Sequence, residues 1–228
     1  IYQSLNTLSV PPFATFLKLE QYFALSASPE RYLKKEGKIL ITQPIKGTAK
    51  RYEDPEEDKR SAQRLLEDPK ERSENIMIAD LVRNDLSRIA AKGTVIVESL
   101  CELQTFQQVH QLVTTIRCEL LEEVSPVMAL KNTFPMGSMT GAPKISAMKI
   151  IERLEDSKRG LYSGAMGYFT PEGDFDFNVV IRSILYNKTK EYVSFSVGGA
   201  ITANSSPENE YEECLLKAKA MREVLEAH

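Results

Sequence analysis

Between Gly164 and Val197 the chain runs as three β-prone stretches, Gly164–Phe169, Phe175–Tyr186 and Tyr192–Val197, joined by the turn signals Pro171-Glu-Gly173 and Asn187-Lys188. They read as the strands of an antiparallel meander, which commits this part of the chain to a sheet. Near the start, Phe13 to Leu19, Tyr22 to Ala27 and Lys38 to Gln43 read as three more strands, and Thr94–Glu98 as another. Helices are called for elsewhere. Lys70 to Ile89 carries apolar residues at Ile76, Ala79, Leu81, Val82, Leu86 and Ile89, a helical spacing that follows a charged acidic segment from Tyr52 to Asp68 broken at Pro69. A second amphipathic helix is expected over Lys144 to Leu154, with Pro143 in its first position and an end near Gly160. A last one opens at Ser206-Pro207 and runs through Leu225. The fold class is therefore α+β, antiparallel sheet with helices packed on it.

The 228 residues contain no repeat, low-complexity tract or Gly/Ser linker, so residues 1–228 are expected to form a single domain. No apolar run nears the roughly 18 residues of a membrane span, and the opening IYQSLNTLSV lacks the basic-then-apolar order of a signal peptide. A cytoplasmic protein is expected. Balanced charge, 29 Lys+Arg against 32 Asp+Glu, argues against nucleic acid as the main partner. Cys101, Cys118 and Cys214 form no CxxC and read as reduced thiols.

Several constellations could carry chemistry. Glu71 with Glu74, and Glu210 with Glu213, stand three apart on helices, so each pair projects from one face and could offer oxygen ligands to Mg²⁺; solvated surface charge is the alternative. Lys46, in Pro44-Ile-Lys-Gly-Thr48, lies between a strand end and a glycine. It is either a nucleophile with a lowered pKa or an exposed turn lysine. The small residues Val197-Gly-Gly-Ala-Ile201 could present backbone N–H groups to an anion or simply pack closely. Arg182, read as lying inside the strand Val179–Ile184, must face a partner, either a bound carboxylate or an internal ion pair. Gly137 to Lys144 fails the Walker spacing and is rejected as a phosphate loop. His110 is isolated from any triad context, and His228 is terminal.

Taken in order, Ser28-Pro-Glu-Arg31, Pro44–Thr48, Glu74-Asn-Ile-Met-Ile-Ala-Asp-Leu-Val-Arg-Asn-Asp85, Gly141-Ala-Pro-Lys144, Tyr162-Ser-Gly-Ala-Met-Gly-Tyr168, Ile181-Arg182 and Gly198-Gly199 resemble the chorismate-utilising enzymes. That group includes anthranilate, aminodeoxychorismate, isochorismate and salicylate synthases. The resemblance covers nearly the whole chain, and Lys46 is similar to the lysine of the aminodeoxychorismate-forming members, where anthranilate synthases usually carry alanine.

The resemblance implies a layered sandwich of antiparallel sheets with helices outside, its N-terminal part missing from this chain. It implies Mg²⁺ on Glu74 and Glu213, with Glu71 and Glu210 supporting. It implies Lys46 as the nucleophile at C2 of chorismate, Glu30 as the acid for the departing C4 hydroxyl, and His110 near the ring. Arg182 and Tyr162 match positions holding the enolpyruvyl carboxylate, and Gly47, Thr48, Gly198 and Gly199 supply donors. The implied reaction is amination at C4 to 4-amino-4-deoxychorismate, with ammonia from a glutamine amidotransferase subunit. An anthranilate synthase component I, an isochorismate-type enzyme, or a non-catalytic chorismate-fold binding module are the alternatives. Ala200 departs from the family's glycine run and is expected to narrow the anion pocket if its φ must be positive.

Overall fold

The structure is a computed structural model that describes every residue except Gln108, Asn204 and His228. In chain order the elements are α1 (Tyr2–Ser9), β1 (Phe13–Leu19), β2 (Tyr22–Ser28), β3 (Arg31–Glu36), β4 (Ile39–Gln43), β5 (Ile45–Lys50), α2 (Pro55–Glu67), α3 (Pro69–Ser87), β6 (Ile96–Thr105), β7 (Val109–Glu119), α4 (Pro126–Thr133), α5 (Lys144–Leu154), β8 (Ala165–Phe169), β9 (Phe175–Val179), β10 (Ser183–Asn187), β11 (Tyr192–Phe195) and α6 (Pro207–Glu226). The fold is α+β with antiparallel sheets, as expected.

The strands form a four-stranded sheet in the order β1-β2-β10-β11 and a seven-stranded sheet in the order β5-β7-β4-β3-β9-β8, with β6 also paired to β7. The presumed meander is thus divided between two sheets. Arg182 is the reason: it is not inside a strand but between β9 and β10, with φ 51, and a left-handed residue reverses the extended path. Two β-prone runs without glycine or proline between them read as one, because nothing in their composition marks the break.

By contacts the chain divides into two compact units. The first comprises Ile1–Pro29, Arg159–Met166 and Val179–His228. Its core gathers Leu5 from α1, Leu25 and Ala27 from β2, Ile184 from β10 and Met221 and Val224 from α6. The second comprises Glu30–Lys158 and Gly167–Asn178, and buries Leu33, Leu40, Leu86, Ile89, Leu112, Ile116 and Phe175. Here β8 comes so close to β9 that a Cβ on Gly167 would lie 2.1 Å from the Asp176 carbonyl oxygen. Only glycine fits there.

The acidic segment before Pro69 is a helix. Asp54 accepts hydrogen bonds from the Glu56 and Glu57 N–H groups, and Pro55 takes the first helical position, so α2 starts with a cap that the hydrophobic pattern alone does not reveal. Asp68 repeats the device for α3, accepting from Lys70 N–H at 2.8 Å and Glu71 N–H at 3.1 Å. Helix α5 stops at Leu154 and not near Gly160, and Pro143 is its N-cap. Its apolar side chains Ile145, Ile150 and Leu154 are exposed.

Candidate functional site

In the second unit the segment holding Lys46 is a bulged strand. β5 pairs with β7 through Ile45↔Val113 and then Thr48↔Gln111, so the register slips across Lys46 and Gly47. Gly47 takes φ 89, and a Cβ there would stand 3.3 Å from Glu71 Cβ, Glu71 Oε2 and Leu112 Cδ1. The bulge is therefore pressed against the face of α3 that carries Glu71. One turn on, Asn75 Nδ2 donates to the Lys46 carbonyl at 3.3 Å and to the Leu112 carbonyl at 2.9 Å. The Lys46–Gly47 backbone and Glu71 are thus brought together.

Glu74 is 9% exposed, and its Oε1 is buried with no hydrogen-bond partner; Lys70 Nζ lies 3.9 Å from that oxygen and 3.8 Å from Glu71 Oε1. A carboxylate oxygen removed from water without a donor is costly to bury. Such an oxygen fits a hard cation, and the all-oxygen pair Glu71 and Glu74 suits Mg²⁺ in donor type. Among the described residues no group of three or more His, Cys, Asp or Glu side chains is arranged to hold a metal. Each unit offers a pair.

Glu30 is buried and lines a cavity of about 20 Å³ together with Thr42, Asp85, Thr133 and Ser138, the last with an unpartnered, buried Oγ. That volume is on the scale of one water molecule. Beside it Lys144 is paired to Asp85 and donates to the carbonyls of Thr133 (3.1 Å) and Pro135 (2.7 Å). Burial raises the Asp85 carboxyl above its ordinary pKa, with the Lys144 charge opposing. The segment Gly137–Lys144 thus ends in an internal ion pair, consistent with its rejection as a phosphate loop.

His110 is 3% exposed, with both ring nitrogens engaged: Nε2 lies 3.0 Å from Asp58 Oδ1 and Nδ1 2.9 Å from Thr105 Oγ1. Asp58 also accepts from Arg51 Nε and from the Tyr52 N–H. The Arg51 guanidinium, then that backbone donor, then His110 hold the Asp58 carboxyl well below its ordinary 3.8. Strand alternation turns the next side chain, Gln111, to the opposite face. There its Nε2 donates to Thr48 Oγ1 at 3.4 Å, and its buried Oε1 has no hydrogen-bond partner. The sequence reading passed over Gln111, although its place beside a histidine in an apolar strand was a usable signal.

In the first unit the expected anion-binding residues also gather. A Cβ on Gly198 would lie 3.1 Å from the Tyr162 hydroxyl, and one on Gly199 2.9 Å from Glu210 Oε2. Ser205 Oγ donates to Glu210 Oε1 at 2.7 Å. Arg182 Nη1 donates to the Lys217 carbonyl at 3.3 Å; burial lowers the guanidinium pKa, while the charges of Glu213 and Tyr162 oppose that shift. Lys217 pairs with Glu213 and donates to the Gly198 carbonyl at 3.0 Å. Lys217, absent from the sequence reading, stands four residues past Glu213 on α6 and could have been found by that spacing.

With this arrangement in view, the comparisons with known proteins are decisive for the family. The family model described as chorismate binding enzyme matches residues 1–223, and the chain belongs to that family. It is 44% identical to an aminodeoxychorismate synthase of Streptomyces griseus over 99% of this chain and 31% of the relative. It is 41% identical to an anthranilate synthase component 1 of Thermus thermophilus over 99% of this chain and 48% of the relative. The crystal structure of anthranilate synthase component I from Streptococcus pneumoniae superposes with a TM-score of 0.86 at 36% identity, covering 96% of this chain and 48% of that one. The chain spans a third to a half of the length of these relatives. No helix among the described residues is long and apolar enough to cross a membrane.

Proposed function

We propose that this chain carries the chemistry of a chorismate aminase, forming 4-amino-4-deoxychorismate with ammonia from a glutamine amidotransferase subunit in a cytoplasmic setting. The observation that carries the reading is the Lys46–Gly47 bulge, which sets the lysine segment against the α3 face bearing Glu71. The similarity to the Streptomyces griseus aminodeoxychorismate synthase supports it.

In this reading Lys46 attacks C2 as a neutral amine; the ring double bond shifts and the C4–O bond breaks. Glu30 gives its proton to the departing hydroxyl, which leaves as water. Ammonia then adds at C4, the C2–Nζ bond breaks, and Lys46 is released. The balance is chorismate plus ammonia to product plus water. Glu74 and Glu213 are assigned to Mg²⁺, with Glu71 and Glu210 supporting; when bound, the ion would draw electron density from the ring. Arg182, Tyr162, Gly198 and Gly199 are assigned to anion binding, and Gly47 and Thr48 to donors near the ring. His110 is assigned to orienting its strand through Asp58, and Gln111 to the face that Thr48 shares.

The Thermus thermophilus relative favours a second reading, formation of anthranilate and pyruvate. Incubation with chorismate, Mg²⁺ and ammonium at high pH separates them. 4-Amino-4-deoxychorismate is the expected product. Anthranilate with pyruvate would establish the second reading, and chorismate binding without turnover would leave a binding module. Lys46→Ala should abolish any covalent adduct seen by mass spectrometry.

A further inference from the structure

Asn75 lies between the two halves of the second unit's candidate chemistry and belongs to neither. It is 2% exposed, in the first turn after Glu71 and next to Glu74 on α3. Both ends of its side chain are hydrogen-bonded. Nδ2 bridges the carbonyls of Lys46 and Leu112, one on each side of the bulged pairing of β5 with β7, and Oδ1 accepts from the Thr114 hydroxyl. The chain of bonds continues. Thr114 Oγ1 accepts from the Cys101 N–H at 3.0 Å, where β6 itself bulges and Cys101 has φ 51, and the Thr114 N–H donates to the Pro44 carbonyl at 3.1 Å.

A β-bulge leaves backbone groups that the ladder does not pair, and a buried carbonyl left without a donor is destabilising. The carboxamide is suited to this task because one –NH₂ supplies two donors and the adjoining oxygen an acceptor. Aspartate of the same shape has no donor, and alanine has neither group.

The geometry points to Asn75 as the positioning residue for Lys46: it fixes the strand bulge that aims the lysine and holds it in register with the glutamates of α3. This deepens the proposed reading of Lys46 as nucleophile and rests on it. Asn75 touches no reacting atom, and its contribution is orientation, for which a shift on the order of 1 Å costs about 100-fold in rate.

The test compares Asn75→Ala, Asn75→Asp, Thr114→Val, Thr114→Ser and Lys46→Ala in the whole chain. Read for each are kcat and KM for chorismate with ammonium, circular dichroism for folding, and the rate at which trace acetic anhydride labels Lys46 relative to Lys70. Asn75→Ala and Asn75→Asp should lower kcat by about 30-fold or more with KM within about threefold, the split expected of misorientation. Freed from its tie, the segment should open, and Lys46 should label at least about threefold faster. Thr114→Ser keeps the hydroxyl and should behave as the parent, whereas Thr114→Val should follow Asn75→Asp and serves where Asn75→Ala does not fold.

A folded Asn75 variant with parental kcat and parental labelling overturns the inference. So does a fall in kcat that only tracks the unfolded fraction. If Lys46→Ala is inactive and Asn75→Asp is not impaired, the inference alone fails. If Lys46→Ala keeps full activity, the reading of Lys46 as nucleophile falls and the inference falls with it.

Discussion

The two units hold their candidate residues by different means. In the second unit, side chains reach across elements to satisfy or pair buried polar groups: Asn75 to the β5 and β7 carbonyls, Lys144 to Asp85, Asp58 to Arg51 and His110. In the first, the backbone does more of the placing: Arg182 sits at φ 51, Gly198 and Gly199 lie close against Tyr162 and Glu210, and an apolar core of α1, β2, β10 and α6 lies within the same unit. The first kind of placement fails when one partner of a pair is lost. The second fails when volume is lost from the core.

The comparison can be broken by four measurements. The largest effect is expected of Lys144→Ala, which leaves the Asp85 carboxylate in a buried place without its partner and should cost about 3–5 kcal/mol in denaturant unfolding. Amide exchange should rise first in Glu30–Lys158; equal acceleration in α6 would show that the units do not respond separately. Met221→Ala, in the core of the first unit, should cost about 3 kcal/mol by the cavity it opens. Its exchange should rise first in Val179–Glu226.

Acid should distinguish the units next. The Asp58 pKa is depressed on folding, so its contribution is present above its ordinary 3.8 and is lost as pH falls through the folded value. Below that ordinary value the melting temperature of the parent should drop more steeply than that of Asp58→Asn, and a parallel pair of pH curves would remove Asp58 from the account. The smallest effect is expected of Tyr32→Phe, which loses the hydroxyl's bonds to the Leu130 carbonyl and Thr133 Oγ1, with a cost of about 1 kcal/mol by thermal melting.

What was legible in the sequence follows the same division. The β1–β2 hairpin, α3 and α6 announce themselves by period, and their structural bounds differ from the expectation by no more than two residues. Helix α2 escaped because charged residues dominate it and its two large apolar residues, Leu65 and Leu66, stand together near its end, although Asp54-Pro55 signalled its start. The division of Phe175–Tyr186 into two strands escaped because the break rests on one left-handed arginine, a conformation fixed by surrounding structure and not by residue type. Among candidate site residues, the glutamate pairs stood out because charge at a set spacing is conspicuous, and Lys46 because it lies between a strand end and a glycine. Asn75 and Gln111 were not, because a neutral amide has no spacing rule; its worth depends on which carbonyls and hydroxyls the fold brings to it.

Asp68 ends one helix and begins the next: its N–H closes α2 on the Leu65 carbonyl at 3.3 Å, and its carboxylate opens α3. A junction of one residue has no slack. Each residue of an α-helix advances its side chains by about 100° around the axis, so an insertion or deletion beside Asp68, unless a new cap re-formed in the old phase, would rotate Glu71, Glu74 and Asn75 together off the face they share. The helix would survive such an indel with its composition unchanged. The angular setting of its chemistry would not, and for this stretch the length of the connection is as much a part of the site as the residues it delivers.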